Sequence, residues 1–253
     1  SSGKHASMKK ALIYRIVFYL LGLLVLALGL TLNTKAGLGV SPIISVSFSV
    51  AEIWDFNFGN TTLVLYALFV VVEMALHLMQ YRRFRSDDIA HAKQANLRLT
   101  LLLDVLQFPL SLVFTRFLNL FSGWIPTLET DYAGSFLGSF PGRFLFLCLA
   151  IVLTGVGAAA SLDMRLVPNP GDGIVQAIAD TVGKSVGFTK NCFDLCNITI
   201  TIGISMVFAD RLTGVGVGTV VAVIGVGRVI ALFNRVAQQQ MAHCAGLSEK
   251  VQA

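Results

Sequence analysis

Residues 37–56 read GLGVSPIISVSFSVAEIWDF, and residues 167–187 read VPNPGDGIVQAIADTVGKSVG. Whether these two runs cross a bilayer decides the fold. Each is moderately apolar, opens with glycine and proline, and is short for a crossing, which takes about 20 apolar residues at about 1.5 Å rise each. Each reads as a half-helix, a surface helix or a short crossing. Around them lie six stretches that do qualify as spans: about 11–32, 61–80, 99–121, 143–162, 191–209 and 213–233.

Composition agrees with a bilayer as the solvent. Of the 253 residues, 55% are hydrophobic and 13% charged, with a mean hydropathy of +0.75. A soluble domain carries about 25% charged residues, and a chain this short lacks the polar surface to keep so much apolar material dissolved. The net charge of +5 does not indicate nucleic acid. The basic residues sit in short clusters beside apolar runs, as in cytoplasmic loops. Three of the four cysteines, Cys148, Cys192 and Cys196, lie in apolar runs, and with Cys244 they do not form a secreted disulfide framework.

The positive charges set an orientation. Lys9, Lys10 and Arg15 flank the first span. Arg82, Arg83, Arg85, Lys93 and Arg98 fill the loop after the second. Arg165, Lys184 and Lys190 lie between the fourth and fifth, and Arg235 follows the sixth. With six crossings these regions share one side, so both termini are expected to be cytoplasmic. The loop 122–142 carries Glu129 and Asp131 but only acidic charge, and is expected outside.

Sliding the chain by 130 residues brings the punctuation into coincidence. Span one falls on span four, Ile44 on Ile174, Phe58 on Phe188, and Thr61 on Asn191. Three crossings per half is an odd number, so the second half enters the membrane upside down. The expected fold is therefore all-α integral membrane, with about six transmembrane helices as two inverted 3+3 repeats. Each repeat holds a short broken or re-entrant helix between its first and second spans. The expected divisions are a tag remnant (1–8), a first half (9–121), an external loop (122–142), a second half (143–235) and a polar C-terminal tail (236–253). Inverted repeats are common in transporters and place the site at the repeat interface.

Both short runs look like helix starts after irregular backbone. Ser41 can cap a helix whose first position is Pro42, and Asp172 can cap one beginning near Gly173. Free N–H groups at such starts favour anionic ligand groups, although ordinary capped interfacial helices would look the same. Ionisable residues within spans usually face the bundle interior; Glu73 and His77 share a helix face, and they and Arg228 read either that way or as interfacial residues whose side chains snorkel out. Asp104 lies in the third span. Lys190 and Asp194 are spaced to pair, as structural glue or as a gate or ligand contact. Cys192, Asp194 and Cys196 read as small packing residues, not a metal site, and no metal or cofactor is expected. The glycines 214, 216 and 218 with Thr219 lack the Lys-Ser/Thr ending of a phosphate loop and suit close helix packing instead. No nucleophile–base set stands out, so an enzyme is not expected.

The segments KAGLGVSPI (35–43), LQFPLSLVF (106–114), PNPGDGI (168–174), TKNCFD (189–194) and GVGVGTVVAVIGVG (214–227) resemble, in order and spacing, the YczE/YyaS/YitT-type bacterial multi-pass membrane proteins. The YczE-like branch is nearest. The YitT branch adds a soluble C-terminal domain, whereas about 19 residues follow Asn234 here. Ser41, Pro42, Gln107, Pro109, Asp172, Lys190, Asp194, Gly218 and Thr219 fall on recurring positions of that pattern. The resemblance implies a protein of the bacterial inner membrane and brings no substrate with it.

Together these readings lead to a transporter, or transport component, for a small polar solute, zwitterionic or anionic. Ser41, Pro42, Gln107, Asp172, Lys190, Asp194 and Thr219 are its expected substrate-binding residues. A channel for small solutes or ions, and a non-transporting scaffold or regulator, are the alternatives. The expected partners are the lipid bilayer and a small-molecule ligand, without nucleic acid; a homo-oligomer is compatible with the sequence.

Overall fold

A computed structural model describes residues 2–83 and 90–247. Arg85 and the side chain of Lys93, both counted above among cytoplasmic charges, lie outside what is described, as do residues 248–253 of the tail. Every regular element among the described residues is helical: α1 (Ser2–Ala36), α2 (Pro42–Trp54), α3 (Phe58–Arg83), α4 (Ala90–Trp124), the single turn α5 (Leu128–Asp131), α6 (Phe140–Asp163), α7 (Pro170–Val182), α8 (Val186–Phe208), α9 (Val217–Phe233), and α10 (Gln239–Cys244) after a π-helical turn. Six are long and apolar enough to span a membrane: α1, α3, α4, α6, α8 and α9 with its continuation. These are the six apolar stretches of the sequence. The helices overrun them, so α1 starts within the presumed remnant and the expected tail begins as helix.

The two deciding runs form α2 and α7, thirteen residues each. That is about 20 Å of helix against a hydrocarbon core of about 30 Å. The start of α7 differs from the sequence expectation. The cap is Asn169, not Asp172: its side-chain oxygen accepts the Gly171 N–H at 3.1 Å, and Pro170 takes the first helical position. Proline has no N–H to satisfy there, and Pro42 likewise takes the first position of α2. Asp172 sits in the first turn instead, where its charge meets the positive end of the helix dipole. Gly183, at φ +68°, ends the helix in the left-handed conformation.

The starts of α2 and α7 are 128 residues apart, and so are those of α3 and α8. Pro42 and Pro170 start α2 and α7, and Phe58 and Val186 start α3 and α8. The residues before α3 and α8 cap alike: Asn57 Oδ1 accepts from Asn60 N at 2.9 Å, and Ser185 Oγ from Phe188 N at 3.3 Å.

The chain divides into two compact units, residues 1–41, 120–166 and 216–253 forming one and 42–119 and 167–215 the other. Each draws on both halves of the sequence. In the first unit α1 packs along α6 at small residues. A Cβ on Gly29 would lie 2.5 Å from the Thr154 nitrogen, and one on Gly157 would strike the backbone of Leu26. The two helices run antiparallel, and each supplies an arginine to the other's end. Arg15 donates to the carbonyls of Met164 (2.7 Å) and Arg165 (2.9 Å); Arg143 donates to those of Ala36 (2.8 Å) and Gly37 (2.7 Å). Donors and acceptors are all 128 residues apart in pairs. The arginines satisfy carbonyls that a helix end leaves without partners. Arg15→Ala and Arg143→Ala should therefore destabilise to a similar degree, about 2 kcal/mol each by the loss of charged hydrogen bonds. Unfolding in mixed micelles would measure this, and an effect confined to one of the two would contradict the equivalence.

In the second unit α2 packs on α3 and α8, and α7 on α8 and α3. Under the 128-residue spacing, α2 against α8 and α3 against α7 are the same contact made twice. Tyr66 fills the middle, fully buried and stacked between Phe69 and Phe114.

Candidate functional site

The second unit has a polar interior built on α2 and α7. The buried face of α2 carries Ser45, Ser47 and Ser49, spaced so that hydroxyls reach both neighbours. Ser45 meets Thr201 at 2.8 Å and Ser49 meets Ser205 at 3.1 Å, both on α8, while Ser47 meets Thr62 of α3 at 3.0 Å. Each hydroxyl can give one hydrogen bond and take others, so this side of the interior is paired.

The α7 side is built differently. Where α2 has Ser45, α7 has Gly173, and the Glu73 carboxylate of α3 occupies the freed space; a Cβ there would lie 2.6 Å from Glu73 Oε2. Glu73 is 3% exposed. Of the two placements the sequence leaves open for it, the structure shows the interior one: the glycine of α7 makes room for it inside. Gln107 of α4, wholly buried, donates from Nε2 to Glu73 Oε1 at 3.0 Å. One turn away, His77 Nδ1 lies 2.7 Å from Asp104 Oδ2. Gln80 holds the far end of α7 through the Ala177 carbonyl (3.2 Å) and Thr181 (2.8 Å).

At the start of α7, Asp172 lies within electrostatic reach of Tyr66, Lys190 and Asp194. Lys190 Nζ donates to Asp194 Oδ2 at 2.8 Å, the pairing their spacing predicts; Asp194 is buried and the lysine 43% exposed. Two buried polar atoms in this neighbourhood lack a partner at hydrogen-bond distance: Asn169 Nδ2, a donor that faces the Tyr66 hydroxyl, and Asp194 Oδ1, an acceptor. Gly171 packs so closely on Ile43 that a Cβ would fall 2.8 Å from its Cγ1. The starts of α2 and α7 therefore meet, at residues 128 apart.

Burial pushes the Asp172 carboxyl above its ordinary range; Lys190 pulls against this and Asp194 adds to it. A folded-state value raised in this way means stability is lost as pH climbs above the unfolded-state value of about 3.9. Asp172→Asn fixes the neutral form. It should raise the thermal midpoint at pH 8 by about 2 °C or more, with the difference vanishing toward pH 4. Equal midpoints at pH 8 would count against a buried carboxylate at this position.

Of the expected site residues, Pro42, Gln107, Asp172, Lys190 and Asp194 fall in the second unit, where Gln107 reaches the start of α7 through Glu73. Ser41 and Thr219 belong to the first unit. Thr219 accepts the Gly216 N–H at 3.2 Å within the first turn of α9, a capping contact. The sequence reading singled out neither Asn169, Tyr66 nor the serines of α2. The Asn-Pro pair was a visible cap signal, and Ser45, Ser47 and Ser49 were visible as a polar cluster in an apolar run. The groove between α2 and α3, lined by Val46, Val50, Val64 and Leu68, is apolar and suits a lipid chain better than a polar solute.

Residues 13–235 match DUF6198, described as a family of unknown function. Over 226 residues the chain is 24% identical to a protein of Bacillus subtilis (strain 168) described as "Uncharacterized membrane protein YczE", covering 88% of this chain and 86% of that one. No solved structure matches. The family match takes in all six apolar helices and both short ones, and so the chain belongs to DUF6198, as a multi-pass membrane protein of YczE-like type.

Proposed function

We propose that the protein is a transporter, or transport component, for a small polar solute that offers both a donor and an acceptor. The observation that carries this reading is the start of α7. There Asn169 Nδ2 and Asp194 Oδ1 are buried without partners at hydrogen-bond distance, beside Asp172 and the Lys190–Asp194 pair. Buried polar groups left unpaired cost about 1–3 kcal/mol each, and a ligand bearing an acceptor for the amide and a donor for the carboxylate would recover that. A zwitterionic solute fits both signs. Uptake by proteoliposomes of the purified protein tests the reading, with saturable flux expected and lost in Asp194→Asn.

The architecture we propose is an inverted repeat with α2 and α7 re-entrant. Its support is the antiparallel α1–α6 pair with exchanged arginines, the equal thirteen-residue lengths of α2 and α7, and the meeting of their starts at Ile43 and Gly171. The site then lies where the two halves of the sequence interleave inside one compact unit, as binding sites do in repeat-built transporters. The distribution of lysine and arginine supports a cytoplasmic position for both termini in a bacterial inner membrane. Single cysteines at position 6 and at 240, in a chain with its four native cysteines replaced, should both resist an impermeant maleimide in intact cells while one at 135 reacts. Labelling of one terminus alone would refute the arrangement.

A scaffold or regulator is the second reading, favoured by the closed Lys190–Asp194 pair, which then serves as glue. It leaves the buried Asp194 Oδ1 without a partner.

A further inference from the structure

We infer that the second unit holds a divalent transition-metal site formed by Glu73 and His77 of α3 with Asp104 and Gln107 of α4. The inference goes beyond the transport reading and stands without it. Glu73 and His77 are one turn apart on one helix, and Asp104 and Gln107 one turn apart on the next. Ligand atoms of Glu73, His77 and Asp104 all lie within 4.8 Å of one another. Glu73 and Asp104 are buried, and His77 nearly so.

A second observation points to a cation in particular. Two oxygens in this group, Glu73 Oε2 and Gln107 Oε1, are buried without any partner. Glu73 is 3% exposed and Gln107 0%. The Gln107 side chain is tied to the cluster by its own Nε2–Glu73 bond, and a half-turn of the amide would bring its oxygen to the ion. Both atoms without partners are acceptors. Another acceptor cannot satisfy them; a proton donor or a metal ion can. When both carboxylates are ionised and the imidazole is neutral, the group carries two negative charges, which a bound dication balances. Burial of net charge away from water is costly unless it is paired in this way.

The geometry needs little change to close on an ion. Ligands about 2.1 Å from one metal stand roughly 3.0–3.4 Å apart. The His77–Asp104 contact at 2.7 Å would open by a few tenths of an ångström, and the longer separations would contract by about 1 Å or more. An imidazole nitrogen, two carboxylates and an amide oxygen suit zinc or manganese. The set has too few oxygens for calcium and no thiolate to select copper(I). The Gly173 contact has a role here: α7 closes over the Glu73 carboxylate, and a side chain at 173 would push it off the ion.

The test is equilibrium dialysis of the full chain in detergent against Zn²⁺ alone, after stripping with chelator. A Cys192→Ser/Cys196→Ser background removes the two exposed thiols of α8. One ion per chain is expected. His77→Ala and Asp104→Asn should each weaken binding at least tenfold, whereas Gln107→Glu, which adds a charge at the same length, should tighten it severalfold while leaving elution from size exclusion unchanged. Binding that survives both His77→Ala and Asp104→Asn, no stoichiometric ion in the parent, or no response to Gln107→Glu would overturn the site.

Discussion

Asp194→Asn is expected to lower saturable uptake by about 10- to 100-fold, the equivalent of losing one charged hydrogen bond of about 1.5–3 kcal/mol, while leaving the fold nearly as stable as the parent. The asymmetry follows from burial. Lys190, left without its carboxylate, keeps 43% of its side chain in solvent and can turn outward. Lys190→Met does the opposite, leaving the buried Asp194 carboxylate without a counter-charge. Breaking a fully buried pair costs about 3–5 kcal/mol; the exposed ammonium reduces this to about 2 kcal/mol. The double variant separates the two roles of the pair. As glue, its replacement by Met and Asn restores stability and whatever activity the protein has. As part of the site, stability returns and uptake does not. Parent-like flux in Asp194→Asn would remove the residue from the transport path.

Gly157→Leu is expected to abolish the folded protein, with a loss of about 3 kcal/mol or more. The contact it would disturb lies between backbones. A side chain grown from Gly157 meets the main chain of Leu26, which has no rotamer to change, so α1 and α6 would have to separate along their length. Association of apolar helices inside a bilayer depends on this close fit, since lipid competes for any looser surface. Gly227, with open space around its Cβ position, supplies the comparison: Gly227→Leu should be tolerated. The yield of monodisperse protein after extraction reads both, and equal yields would mean that α1 and α6 do not pack through these glycines.

The membrane-spanning helices were legible because about 20 consecutive apolar residues is a local property of sequence. So were the brevity of α2 and α7, marked by glycine and proline, and the Lys190–Asp194 pair, fixed by helical spacing. What escaped the sequence depended on partners far along the chain. On its own helix Glu73 reads as interior or interfacial; it is interior because Gly173, a hundred positions on, leaves a gap. Its burial had one local trace, since Thr62, Tyr66, Phe69, Val70 and Glu73 form a single buried stripe. The 128-residue register escaped because it is written in caps and arginines, not in apolar content, and the match of Arg15 with Arg143 means little until each is seen at the other's helix end.

The exchanged arginines also set an order of assembly. Arg143 is made 107 residues after the Ala36 carbonyl it covers. Until the ribosome reaches it, the first span waits in the bilayer with its last carbonyls bare and its glycine face unclosed. The early half of the polypeptide therefore cannot mature by itself, and its late half arrives as the template against which it sets.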